Sequence, residues 1–248
     1  MARIIALSNQ KGGVGKTTSA INLGAALAEQ GRRVLLVDID PQASLTDALG
    51  IDASTLQRSI YEVLTGQATL ADILVEVGRL TVAPATIDLA AAEMQLINEV
   101  GRERILSDAL AHVVGQFDDI LIDCPPSLGI LTINALTAAD GVLVPVECHY
   151  MAMRGLAQLM QSIEKIQRRT NPRLKLLGVI PTMFNDRTVH EHEVLETLHE
   201  QFPGLVTTPI RRSIRFAETA LAGKPMIEYD PAHPGGEAYR ALAKEVLR

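Results

Sequence analysis

Ser8-Asn9-Gln10-Lys11-Gly12-Gly13-Val14-Gly15-Lys16-Thr17-Thr18 follows a short aliphatic run, Arg3 to Leu7, and opens a segment of helical period from Lys16 to Glu29. Strand, glycine-rich turn and helix start in that order make a phosphate cradle. Glycines let the backbone turn its N–H groups inward around phosphate oxygens. Lys16 supplies a point charge to the β- and γ-phosphates, and Thr17 offers a hydroxyl to Mg²⁺. The ordinary G-x-x-x-x-G-K-[ST] pattern fails at one place, because Gln10 stands where its first glycine belongs, and a second lysine, Lys11, enters the loop. The plain alternative is a glycine-rich turn that binds nothing, and the strand before it and helix after it weigh against that.

Outward from this loop, short aliphatic runs alternate with longer segments of helical period, the sequence form of βαβ units. The expected strands are Arg3 to Leu7, Arg33 to Asp38, Leu80 to Ala83, Asp119 to Asp123, Gly141 to Glu147 and Leu174 to Pro181, with Leu205 to Thr207 a weaker one. The expected helices are Lys16 to Glu29, Glu103 to Val114, Met151 to Arg169, Val189 to Gln201 and Glu237 to Val246, while Ile51 to Gly78 reads as short helices. Near-continuous apolar strands imply a sheet covered on both faces. The predicted fold is therefore α/β: a P-loop NTPase with a mostly parallel twisted sheet flanked by helices on both faces. No linker or repeat divides the chain, so residues 1–248 are expected to form one domain.

Three acids fall where such a sheet places its ligands. Val37-Asp38-Ile39-Asp40-Pro41-Gln42 ends the second strand with two carboxylates two residues apart, on the same side of an extended backbone. Ile122-Asp123-Cys124-Pro125-Pro126 ends another, in the form of an acid that holds a metal-bound water. Open α/β sheets bind ligands at the carboxyl ends of their strands. Any one of these acids alone would more simply terminate a strand or cap a helix; three in register with a phosphate loop point to metal and water chemistry.

Composition excludes several classes. The chain has 248 residues, 47% of them hydrophobic, enough to bury a core unaided, and a net charge of −6, which argues against constitutive nucleic-acid coating. That charge is uneven: Asp38 to Asp119 holds fourteen acidic against four basic residues, whereas Arg154 to Arg187 holds seven basic against two acidic. Arg211, Arg212 and Arg215 follow with no acid until Glu218. Cys124 and Cys148 show neither disulfide nor zinc spacing, which implies a reducing, cytoplasmic setting. No signal peptide or membrane span is read. With four Phe, four Tyr and no Trp, base-stacking platforms are not expected.

At Lys11 to Thr18, Val37 to Gln42 and Ile122-Asp123-Cys124-Pro125-Pro126-Ser127-Leu128-Gly129, the sequence resembles the ParA/Soj partition ATPases of the deviant Walker A class. Val144 to Cys148 with Gly155-Leu156, and Gly223 to Ile227 with Tyr229-Asp230-Pro231, extend the likeness over nearly the whole chain. The resemblance implies an ATPase with ATP and Mg²⁺ as cofactors. Lys11 is then the signature lysine that crosses a two-fold ATP-sandwich homodimer, and Gly12 sits where the facing loop approaches. Gly13, Val14 and Gly15 complete the cradle, Lys16 and Thr17 take the phosphate and direct Mg²⁺ roles, and Thr18 touches the α-phosphate. Asp40 positions or activates the attacking water, and Asp38 and Asp123 support the metal through water. The base is expected against Pro209 to Arg211.

The resemblance also implies a role: a switch for chromosome or plasmid segregation. The ATP-bound dimer would bind double-stranded DNA without sequence preference, and a ParB-type partner would trigger slow hydrolysis and release. Arg187 and Arg215 match the arginines given the DNA contacts, which are electrostatic and salt-sensitive; Arg168, Arg169 and Arg173 read equally well as a solvated helix end. Slow turnover fits the absence of an obvious arginine finger. The setting would be cytoplasmic and nucleoid-associated, with no membrane. No helix-turn-helix segment precedes Arg3, so operator binding is not expected. The late motif Pro209-Ile210-Arg211-Arg212-Ser213-Ile214-Arg215-Phe216-Ala217-Glu218 departs from relatives that carry an Asn near position 212 and Leu-Ser before the Glu. Three other readings stay open. A MinD-like membrane-recruited division regulator would use Gly236 to Arg248 as a membrane helix, an electron-transfer ATPase would use Cys124 and Cys148, and a metabolic ligase could share the fold.

Overall fold

The computed structural model describes residues 2–149 and 152–247. Seven strands lie among the described residues: β1 (Arg3–Leu7), β2 (Val34–Asp38), β3 (Val75–Val77), β4 (Leu80–Ala83), β5 (Asp119–Asp123), β6 (Gly141–Glu147) and β7 (Lys175–Thr182). They form one sheet in the order β3-β4-β2-β5-β1-β6-β7, parallel throughout except for the β3–β4 pair. The helices are α1 (Lys16–Glu29), α2 (Ser44–Ala48), α3 (Ile60–Leu64), α4 (Leu89–Leu96), α5 (Ile105–Ala111), α6 (Ile130–Ala138), α7 (Ala152–Arg169), α8 (Val189–Gln201), α9 (Arg215–Leu221), α10 (Met226–Tyr229) and α11 (Pro234–Val246).

The period of two along a strand explains the continuous apolar runs. Val34 and Leu36 of β2 pack with Leu23 and Leu27 of α1 and with Tyr239 and Leu242 of α11. Leu35 and Val37 turn to the other face and belong to the buried cluster that also holds Leu89 of α4, Leu131 and Ala135 of α6, and Leu159 and Ile163 of α7. Both faces are buried, so neither shows alternation in the sequence.

Several elements differ from the sequence expectation. β3 is a three-residue edge strand, half-exposed and turned back on β4 at Gly78, whose φ of 58° favours glycine; the segment around it had read as helical. The expected strand Leu205 to Thr207 is a single parallel bridge, Val179 to Val206, because the chain then reaches Pro209, which has no N–H to donate. The helix expected from Glu103 to Val114 stops at Ala111, and a short 3-10 turn follows at Val114–Gln116. Met151, the expected start of the long helix, lies outside the described residues. No described helix is long and apolar enough to cross a membrane, and α11 buries Tyr239, Leu242 and Ala243.

Register sets the position of the acids. Asp123 of β5 lies level with Leu7 of β1 on one side and with Asp38 of β2 on the other. At the opposite end of the sheet, buried Asp119 pairs with Arg3 at 2.6 Å and with Arg32.

Candidate nucleotide site

The loop from Ser8 to Gly15 leaves β1 and turns under the first turn of α1. Gly13 and Gly15 take φ of 72° and 83°, left-handed values that a side chain would strain. Gly15 is the residue before the helix, and no side chain caps it, so the first-turn amides stay available to an anion. Asn9 anchors the loop: its amide donates to Pro145 O at 2.7 Å, and its carbonyl oxygen accepts from Lys11 N at 3.0 Å. Thr182 at the end of β7 donates to Val14 O at 2.9 Å.

The side chains gather around Asp123. The Thr17 hydroxyl donates to Asp123 Oδ2 at 2.6 Å, while the fully buried Oδ1 finds no partner among the described residues. Lys16 is buried, with Nζ 3.5 Å from Lys11 O. Burial, then the neighbouring Asp38 charge, pushes the Asp123 carboxyl well above its usual range, against the Thr17 hydrogen bond and the Lys16 charge. Burial likewise raises Asp38, to about 6.

The two acids that end β2 do different things. β2 ends at Asp38, the Ile39 N–H still donates to Asp123 O at 3.1 Å, and Asp40 beyond it is buried like Asp38. The Asp38 carboxylate is used by the chain: Oδ1 accepts from Asp40 N at 3.1 Å, and Oδ2 accepts from the Thr46 backbone and hydroxyl at 3.0 and 2.8 Å. Thr46 Oγ1 accepts in turn from Ala85 N at 2.9 Å, which ties β2, α2 and the end of β4 together. Asp40 begins the turn that follows, accepting from Gln42 N at 3.0 Å. Ala43 in that turn has a φ of 51°.

Lys11, half-exposed, is held within the chain. Its ammonium lies 2.5 Å from Glu147 Oε2 at the end of β6, and Arg212 lies 3.7 Å from the other oxygen of that carboxylate. The Lys11 hydrogen bond keeps Glu147 below the usual carboxylate range. Gly12 has room: a Cβ there would meet only Pro126 Cβ, at 3.9 Å.

Beside Gly15 and Thr18 opens a cleft of about 190 Å³ lined by Thr182, Met183, Ile210, Arg211, Ser213, Phe216 and Tyr239. Of the residues expected to face the base, Arg211 lines this cleft and Pro209 is not among its lining residues. Thr182, Met183, Phe216 and Tyr239 are missed by sequence reasoning, although two of the chain's eight Phe and Tyr residues meeting at one cleft is a signal that scarcity could have given. Thr46 and Glu147 are missed as well, since their partners are distant in sequence.

Arg187 and Arg215 sit on two segments joined by the Phe184–Arg211 bridge. Arg211 pairs with Asp186 at 2.9 Å, and Arg215, the first residue of α9, pairs with Glu218 at 2.9 Å. Cys124 and Cys148 are buried in the core, and burial pushes the Cys148 thiol up to about 12.

The AAA-domain family model matches residues 2–176. The sporulation initiation inhibitor protein Soj of Bacillus subtilis is 48% identical over 249 residues, covering 99% of this chain and 98% of that protein. The chain belongs to the ParA/Soj family. The chromosome partitioning protein ParA of Myxococcus xanthus is 46% identical over 251 residues, covering 100% of this chain and 89% of its own length. Among solved structures, cobyrinic acid a,c-diamide synthase from Mycobacterium smegmatis with bound ADP and magnesium superposes with a TM-score of 0.89 at 45% identity, covering 100% of this chain and 95% of that one. The cell division ATPase MinD of Pyrococcus furiosus gives 0.83 at 28% identity, covering 100% and 99%. The ParA/Soj chain therefore has the expected fold, a P-loop NTPase with a mostly parallel sheet between helices.

Proposed function

We propose that the chain is an ATP-dependent switch for DNA segregation that works as one 1–248 unit. The observation that carries this reading is the orphaned Oδ1 of Asp123, buried beside Thr17, Lys16 and Asp38. Two buried carboxylates held above their usual range want a cation, and the donor set, one hydroxyl and one carboxylate over a glycine cradle, suits magnesium with a nucleotide phosphate. Thr17 would hold the metal directly and Asp123 through water. Magnesium, when bound, supplies positive charge against the phosphates.

The chain's own groups do the rest. Lys16 and the first-turn amides of α1 bind phosphate oxygens, with Gly13, Val14 and Gly15 shaping the cradle and Thr18 at its far side. Asp38 holds the Asp40 amide and, through Thr46, the start of α2, so Asp40 is fixed at the site edge to orient water. Lys11 would leave Glu147 to meet the nucleotide of a second copy. Gly12 supports that arrangement, since nothing inside one chain requires a glycine there. The homodimer would set two sets of Arg187 and Arg215 against DNA, and a ParB-type partner would speed an otherwise slow hydrolysis.

The test is retention on random-sequence DNA with ATP, with ADP and without nucleotide, over a range of salt. ATP-dependent retention that weakens steeply with salt and is lost in Arg215→Glu supports the reading; equal retention in all three nucleotide states refutes it. The name of the M. smegmatis neighbour favours a second reading, a ligase that activates an acid. Phosphate release that depends on DNA and partner rather than on an added acid separates the two.

A further inference from the structure

The cleft beside α1 carries a hydrogen-bond chain whose donors are fixed by geometry. The backbone N–H of Gly235 donates to Nδ1 of His233 at 2.9 Å, so Nδ1 is the ring's acceptor and Nε2 of the neutral ring carries the proton. Nε2 lies 3.2 Å from Ser213 Oγ and donates to it. The backbone N–H of Arg215 donates to the same oxygen at 3.2 Å. A hydroxyl accepts two hydrogen bonds and donates one. With both acceptor positions taken, Ser213 keeps only its own proton to give, and Ser213 lines the cleft.

Packing holds the histidine in this orientation. Its ring stands edge-on to Phe216, centroids 6.2 Å apart, and Phe216 stands edge-on to buried Tyr239 at 6.0 Å. Gly235 permits the approach: a Cβ there would lie 2.7 Å from Phe216 Cζ and 2.9 Å from His233 Nδ1. The aromatic wall of the cleft and the hydrogen-bond chain behind it are thus one packed unit.

We propose that Ser213, oriented by His233, reads the nucleotide base by donating its hydroxyl proton to a ring-nitrogen acceptor of a purine seated against Phe216. The assignment rests on the cleft being the base subsite of the nucleotide site proposed above. It makes Ser213 a specificity residue and His233 a positioning residue that acts through it.

The experiment is displacement of a fluorescent N-methylanthraniloyl ADP, with magnesium, by ATP and by its 1-deaza, 3-deaza and 7-deaza analogues. Wild type should bind one analogue about three- to tenfold more weakly than ATP, the scale of one neutral hydrogen bond. Ser213→Ala should lose a similar factor for ATP and no longer distinguish that analogue, the signature of a coupled pair. Ser213→Thr, which keeps the hydroxyl, should restore discrimination, and His233→Ala should reduce it. Equal discrimination in wild type and Ser213→Ala, or none in wild type, overturns the assignment and leaves the nucleotide reading standing. Unchanged discrimination in His233→Ala overturns the positioning role. Failure of the fluorescent ADP to bind wild type at all overturns both readings.

Discussion

Thr17 and Asp123, distant in sequence, share a 2.6 Å hydrogen bond that engages one carboxylate oxygen and leaves the other buried without a partner. A site built this way is incomplete in the free chain. It should respond sharply to anything that completes it or removes the need for completion.

Asp123→Asn removes a buried charge next to Asp38 while keeping an oxygen for Thr17. The nucleotide-free variant should melt at a higher temperature than wild type, and its ATP affinity should no longer rise with Mg²⁺. Calorimetry with and without the metal checks both. A lower melting temperature together with an intact Mg²⁺ response would contradict the placement of the metal.

Lys16→Ala and Gly12→Val separate two roles within one loop. Lys16→Ala should weaken ATP binding about 10- to 100-fold, the scale of a charge-assisted hydrogen bond. Gly12→Val should bind ATP yet sediment as a monomer, because its side chain meets nothing prohibitive inside one chain. Dimers of both variants in ATP would undo the sandwich arrangement.

Asp38 gives a pH dependence with a definite sign. Burial raises its pKa from 3.8 to about 6 in the folded chain, so the folded state holds this proton more tightly than the unfolded state does. The stabilising effect is complete below pH 3.8 and is lost as pH rises to about 6. Between pH 5 and 7.5 the nucleotide-free protein should lose stability on the order of 1 kcal/mol from this group. Urea denaturation of wild type and Asp38→Asn at the two pH values tests this. Identical losses would show that Asp38 does not titrate there.

Thr46→Val keeps the shape of the side chain but strips hydrogen bonds from the Asp38 carboxylate and the Ala85 amide. A buried group left unsatisfied costs about 1–3 kcal/mol. Denaturant midpoints should fall accordingly, and ATP turnover should fall with them as the Asp40 turn loosens. Thr46→Ser should recover most of both; a variant as stable as wild type would remove Thr46 from the frame.

What was legible follows from where the information lies. The bounds of β1, β4, β5, β6, α1 and α8 were readable because each is a run with one strong period or one clear stop. α6 has no solvent-facing polar side to announce it: Leu131, Ala135 and Leu136 are buried, and so are Thr132, Asn134 and Thr137. α9 and α10 are seven and four residues long, too short for a period to emerge. In the site, the loop and the three acids were visible because their spacing is local. The engagement of Asp38 by Thr46 and of Lys11 by Glu147 was not, since both depend on which strands end side by side.

β5 begins and ends with an aspartate, and the two ends are treated differently. Asp119 is neutralised by Arg3 and Arg32, both supplied by the fold, whereas Asp123 has a hydroxyl on one oxygen and beyond it the more distant charge of Lys16. One strand thus contains its own control experiment, a buried acid permanently balanced beside one left in deficit. On the proposed metal placement, the folding energy that this deficit costs would be returned when a cation binds, and the thermal midpoint of this protein would then gauge how much of it is loaded.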